Sequence, residues 1–83
     1  MAETEIEATV VVDARGLLCP MPIVRTAKAM KGLAPGEVLK VIATDRGAIA
    51  DVPAWAGSTG NELLAWHEEG ADLVFFLRRG EDE

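Results

Sequence analysis

Cys19 is the single cysteine of an 83-residue chain, and it lies in the run Gly16-Leu17-Leu18-Cys19-Pro20-Met21-Pro22. A thiolate is a strong nucleophile, and one at the tip of a helix is placed to act as one. The chain holds no second cysteine with which to close an internal disulfide. Chemistry at this sulfur therefore involves another molecule.

The flanking prolines say how the sulfur is presented. Pro20 biases Cys19 away from the α region, which suits a residue standing just outside a helix. With Cys19 as the N-cap, Pro20 takes the first helical position, where its missing N–H costs nothing. Leu18 and Ile23 then fall at the positions of a hydrophobic staple, and the sulfur is aimed out along the helix axis. The helix dipole favours a thiolate there and predicts a modest lowering of the cysteine pKa from its free value of about 8.5. Pro20 and Pro22 limit that effect, because Met21 is left as the only N–H donor among the first three helical residues. A moderately basic thiolate keeps its nucleophilicity. A cysteine taken alone reads as a small buried hydrophobe; the proline pair and the helix-tip position turn the reading toward reactivity.

The elements that must position this loop follow from periodicity. Thr9 to Asp13 is short and β-branched and reads as a first strand. Pro20 to Leu33 has helical spacing, with Ile23, Ala27, Met30 and Leu33 on the apolar side and Arg25, Lys28 and Lys31 toward the other. Ala34-Pro35-Gly36 stops the helix, and Glu37 to Ala43 is a second strand. Thr44 to Asn61 reads as broken helix: Asp45 caps one short turn, and Asp51-Val52-Pro53 starts another piece that Gly57 and Gly60 loosen. Glu62 to Glu69 and Asp72 to Arg79 form a hairpin around Glu69-Gly70-Ala71. Leu73, Phe75 and Leu77 of its second strand share one face, and Val74 and Phe76 the other. The order β-α-β-α-β-β predicts an α+β two-layer sandwich, a four-stranded mixed sheet with two helices packed on one face. The first crossover is parallel and right-handed. Its two loops then emerge at one sheet edge, which brings Asp45 and Arg46 near Cys19. Asp45 either helps recognise a partner there or only caps the second helix.

Composition bounds the function. The net charge is −6, but the eight acidic residues between Val10 and Arg79 are balanced by eight basic ones. The excess sits in two acidic tails, residues 1–8 with Glu3, Glu5 and Glu7, and residues 80–83 with Glu81, Asp82 and Glu83. Residues 9–79 form the one domain, with a modest core and no deep pocket expected at this size. Arg15, Arg25, Lys28 and Lys31 predict a locally basic cysteine end, where the lysines and Arg25 are docking charges or simply the wet face of the helix. Direct nucleic-acid binding is not expected without a larger basic excess and aromatic platforms. No apolar stretch is long enough for a membrane span, and the acidic start is unlike a signal peptide, so a cytoplasmic location is expected. A lone thiol also fits a reducing compartment. His67 with Cys19 offers no metal-ligand spacing, so no metal is expected. Trp55 and Trp66 read as packing residues, and Gly57-Ser58-Thr59-Gly60 lacks the lysine of a phosphate loop.

These residues resemble the TusA/SirA family of small sulfur-carrier proteins, known for a Cys-Pro-x-Pro motif after the first strand. The resemblance runs from Val10 to Arg79 through Asp13-Ala14-Arg15-Gly16-Leu17-Leu18-Cys19-Pro20-Met21-Pro22, Lys28-Ala29 and Leu33-Ala34-Pro35-Gly36-Glu37. It continues through Asp45, Asp51-Val52-Pro53-Ala54-Trp55, Gly60 and Glu62-Leu63-Leu64. It implies the same β-α-β-α-β-β fold and a persulfide carried on Cys19, with no bound cofactor. Gly16, Pro20 and Pro22 shape the motif loop, and Arg25, Lys28, Asp45 and Arg46 are candidates for partner docking. In such proteins a cysteine desulfurase or rhodanese-like donor loads the sulfur, which passes to a downstream acceptor in tRNA thiolation, molybdenum-cofactor maturation or sulfur oxidation. The chain departs from many members at Arg46, where they have proline, and at Met21, where some have an acidic residue. The expected protein is a sulfurtransferase-type cosubstrate more than a self-sufficient enzyme. The alternative is a regulatory or redox-sensing interaction domain that uses one exposed thiol, with glutathione supplying the second sulfur.

Overall fold

A computed structural model describes residues 6–81; Glu3, Glu5, Asp82 and Glu83 of the acidic tails lie outside the described residues. The element order is β1 (Val10–Ala14), α1 (Met21–Met30), β2 (Val38–Ala43), α2 (Ala48–Thr59), β3 (Glu62–Glu69) and β4 (Asp72–Arg78). The four strands form one sheet in the order β1-β2-β4-β3. β1 runs parallel to β2 with Val12 opposite Val41, and β2 runs antiparallel to β4 with Val41 opposite Phe75. The β-α-β-α-β-β mixed sheet with both helices on one face is therefore the observed fold.

The alternation of β2 and β4 sets the core. Leu39, Val41 and Ala43 meet Leu73, Phe75 and Leu77 across the ladder, all buried on the helix side. Val74 and Phe76 point to the other face and are nevertheless 3% and 9% exposed. Side chains of neighbouring strands cover Phe76: the Lys40 ammonium lies 5.7 Å from its ring centre and the His67 ring stacks at 6.4 Å. Long stems can shield apolar surface while their charged ends stay wet. His67 is thus an exposed residue of β3, paired with Glu69 at 2.9 Å. Trp55 packs against the core, and Trp66 stacks on Phe75 at 5.7 Å.

Two expectations about the helices need correction. The region after β2 is one continuous helix, Ala48–Thr59, with Pro53 inside it. Proline removes a hydrogen bond and normally breaks a helix interior. Here Ala48, Val52 and Ala56 recur every four residues and are all buried against the sheet, so packing carries the helix through the defect. Gly60 then ends it in the left-handed conformation at φ 78°, with the Asn61 N–H returning to the Ala56 carbonyl. The first helix is shorter than its periodicity suggests and ends at Met30. Its buried stripe is Pro22, Thr26 and Met30, with Ala27 only partly covered. Thr26 escapes a hydropathy reading because its hydroxyl donates to the Pro22 carbonyl at 2.7 Å, which satisfies the polar atom inside the core. The carbonyls of Met30 and Leu33 accept the Arg79 guanidinium at 2.7 and 2.9 Å, closing that end of α1.

Candidate functional site

Cys19 is exposed and sits in the loop between β1 and α1, at the sheet edge where the loop after β2 also emerges. Gly16 makes the turn out of β1 at φ +81°, a conformation that a side chain resists. Its N–H donates to Thr44 Oγ1 at 2.9 Å, the first tie between the two loops. The Cys19 N–H donates to Asp45 Oδ2 at 2.8 Å, the second. Asp45 Oδ1 accepts the Gly47 N–H at 3.2 Å, and the Asp45 carbonyl accepts Ala48 N–H at 2.9 Å. One carboxylate therefore both shapes the entry to α2 and holds the backbone of Cys19. The two N–H groups, that of Cys19 foremost, hold its pKa below the usual carboxylate value.

The helix start lies one residue later than expected. Pro20 is the N-cap, α1 begins at Met21, and Pro22 is its second residue. Cys19 is outside the cap, and the Met21 N–H is spent on the Leu18 carbonyl at 2.9 Å. No helical N–H is aimed at the sulfur by this route. Leu18 is 73% exposed, so the staple with Ile23 does not form; Met21 and Val24 of α1 are exposed apolar residues as well.

The sulfur turns toward α2, not out along α1. Sγ–H donates to Asp51 Oδ2 at 3.0 Å. The pKa of Cys19 is consequently raised, not lowered: the hydrogen bond to Asp51 leads, followed by loss of hydration and by the negative charges of Asp51 and Asp45. The expected basic surroundings are also corrected. Arg15 is committed to Asp13 through two 2.9 Å contacts and lies 3.7 Å from Asp72. Arg46 reaches Glu68 on β3 at 3.2 Å. Arg25 and Lys28 are exposed on α1 and line a shallow groove with Val10, Val11 and Val12 of β1. The groups that meet Cys19 directly are two carboxylates.

Sequence reasoning brought Asp45 to the sulfur and missed Asp51 as a site residue. Reading residues 44–61 as broken pieces left no reason to face Asp51 toward β1. The available signal was Asp51 itself, an acidic residue in the first turn of an otherwise apolar helix. Among the described residues there is no cluster of three or more potential metal ligands, and no helix is long and apolar enough to cross a membrane. An exposed thiol in a braced loop can exchange sulfur with a partner that brings its own reacting group.

Residues 10–79 match the family model described as Sulfurtransferase TusA. The YrkF protein of Bacillus subtilis is 57% identical over 75 residues, which cover 90% of this chain and 40% of that longer protein. The sulfur carrier protein TusA of Allochromatium vinosum is 46% identical over 67 residues, covering 81% of this chain and 88% of that one. The sulfur carrier protein TusA of Pseudomonas putida is 35% identical over 79 residues, covering 95% and 99%. The crystal structure of a SirA-like protein from Desulfitobacterium hafniense has the same fold, with a TM-score of 0.77 at 23% identity over 88% of this chain and 100% of that one. On the family match and these identities, the chain belongs to the TusA/SirA family of sulfur-carrier proteins.

Proposed function

We propose that the protein relays sulfane sulfur as a persulfide on Cys19. The observation that carries this reading is the exposed thiol of the Cys-Pro-Met-Pro loop, tied by its own backbone to Asp45, on a stretch that also exposes Leu18, Met21 and Val24. A carrier needs its reacting atom accessible to two different proteins in turn, and a small domain with a braced tip supplies that. As a family member the chain is a protein cosubstrate, and the bond-breaking machinery belongs to its partners. The donor is a cysteine desulfurase or a rhodanese-like protein, and the acceptor belongs to tRNA thiolation, molybdenum-cofactor maturation or sulfur oxidation. Arg25 and Lys28 serve partner docking from the groove between α1 and β1, and residues 9–79 form the working domain between the acidic tails in a cytoplasmic setting.

Incubation with a cysteine desulfurase and cysteine, followed by intact-mass measurement, tests the reading. The expected product carries one added sulfur that reductant removes, and Cys19→Ala abolishes the gain. A glutathione adduct on Cys19 with no sulfur loading overturns it in favour of a redox-sensing domain.

A further inference from the structure

We propose that Asp51 is the proton partner of Cys19: it holds the empty carrier as the thiol and takes the thiol proton as sulfur is received. The proposal rests on the carrier reading for its purpose, and on the geometry around Sγ for its substance. Asp51 lies in the first turn of α2. Its neighbour Val52 is buried in the core at 0% exposure, which fixes that turn against the sheet. The Asp51 Oδ2 to Sγ distance of 3.0 Å is short for a hydrogen bond from sulfur. The cysteine is fixed from its other side, because its N–H is held by Asp45 at 2.8 Å. Donor and acceptor are thus each anchored to different parts of the fold and still meet.

The charged groups around the thiol agree with this role. From α2 it meets Asp51, and from the β2–α2 loop Asp45. On its own loop Arg15 is bound to Asp13. From α1, Arg25 and Lys28 line the groove against β1. Negative charge therefore dominates at Sγ, and the pKa of the thiol is raised. Near neutral pH the empty carrier is a thiol, which resists alkylation and stray oxidation because the thiolate is the reactive form.

Loading has a balanced course. The donor presents a persulfide, R–S–SH. Cys19 Sγ bonds to the terminal sulfur as its proton passes to the Asp51 carboxylate, and the donor S–S bond breaks with its electron pair going to the R–S sulfur. The departing thiolate collects the proton from Asp51, so Cys–SH and R–S–SH give Cys–S–SH and R–SH. The donor's inner sulfur is reduced to a thiol and the Cys19 sulfur is oxidised to the persulfide level, with no further oxidant. If the loaded persulfide ionises, its charge meets Asp51 and Asp45 and is repelled, which favours passing the sulfur on.

The pH dependence of alkylation by iodoacetamide, read by intact mass on the full chain, tests the assignment without any sulfur donor. Wild-type Cys19 is expected to titrate above the free value of about 8.5. Asp51→Asn is expected to lower that midpoint by about one unit. At pH 7 this raises the thiolate fraction about tenfold, and the accompanying loss of nucleophilicity leaves a net rate gain of about threefold. An unchanged profile in Asp51→Asn, with its thermal transition intact, overturns the proposal. If Asp51→Asn does not fold, the wild-type profile decides, and a midpoint below about 8.5 overturns it. Loading from glutathione persulfide separates this proposal from the carrier reading. A shifted profile in a protein that never accepts sulfur upholds the proton partner while the carrier reading fails. Normal loading with an unchanged profile sinks the proton partner alone.

Discussion

The carboxylate of Asp45 accepts the backbone N–H of Cys19 at 2.8 Å, joining the loop after β1 to the loop after β2 across 26 residues of chain. The same carboxylate accepts the Gly47 N–H as α2 begins. The sequence offered partner recognition or helix capping for Asp45; its carboxylate shapes the entry to α2 through the Gly47 N–H and also braces the cysteine backbone. Asp45→Ala is expected to lower the melting temperature by a few degrees and to slow sulfur loading in the same variant. Scanning calorimetry beside a transfer assay checks both. A normal transfer rate in a destabilised protein would reduce Asp45 to a helix-entry residue.

Acid stability follows from the lowered carboxylates. Asp13 is brought down to about 2, first by the side-chain hydrogen bond from Arg15. Asp45 is lowered by the Cys19 and Gly47 N–H groups. Each favours the folded state fully above its unfolded pKa of about 3.9, and loses that contribution as the pH falls through its folded value. The melting temperature is expected to drop between about pH 4 and pH 2, and Arg15→Ala should flatten that drop. Cys19 acts with the opposite sign. Its raised pKa makes folding less favourable as pH climbs from the unfolded value toward the folded one, and Cys19→Ala should remove that alkaline slope.

Gly16 has a positive φ of 81° and open space where a Cβ would point. Gly16→Ala therefore adds backbone strain and no clash, costing roughly 1–2 kcal/mol. The turn also carries the N–H that meets Thr44. A chemical-denaturation curve should show the loss, and a faster change in Cys19 alkylation than in global unfolding would show the loop loosening first.

Arg79 donates to the Met30 and Leu33 carbonyls at the closed end of α1. Arg79→Ala leaves those partly buried acceptors without the guanidinium, and the expected destabilisation is about 1.5–3 kcal/mol. Both bonds come from one nitrogen, Nη1, so Arg79→Lys is expected to recover part of the loss, the shorter side chain having to bring a single ammonium to the same two carbonyls. Urea midpoints for the three proteins check the order.

Most of the scaffold was legible because its signals are local. Alternation in Asp72 to Arg78, the breaker Ala34-Pro35-Gly36 and the Gly70 turn each act within a few residues. Parallel pairing of β1 with β2 then followed from the crossover, and so did the meeting of Cys19 with Asp45. What escaped depends on tertiary contacts. Pro53 argued locally for a break, and the burial of Ala48, Val52 and Ala56 overrode it. That continuous helix sets Asp51 against Sγ, so the sign of the cysteine pKa reversed with it. The dipole argument also assumed a free Met21 N–H, which the Leu18 carbonyl takes.

β4 is the last strand in sequence and yet lies inside the sheet, between β2 and β3. The Arg79 that follows it closes α1 from 49 residues away. During synthesis the cysteine loop and its helix emerge long before either support exists. β1 and β2 have only one another to pair with until β4 arrives, and contacts of such high sequence separation form late. The braced, proton-bearing thiol is therefore a property of the finished domain. A chain that stops before β4 carries Thr44, Asp45 and Asp51, the residues that tie down the cysteine loop, on a β1–β2 pair whose next neighbour in the sheet is missing.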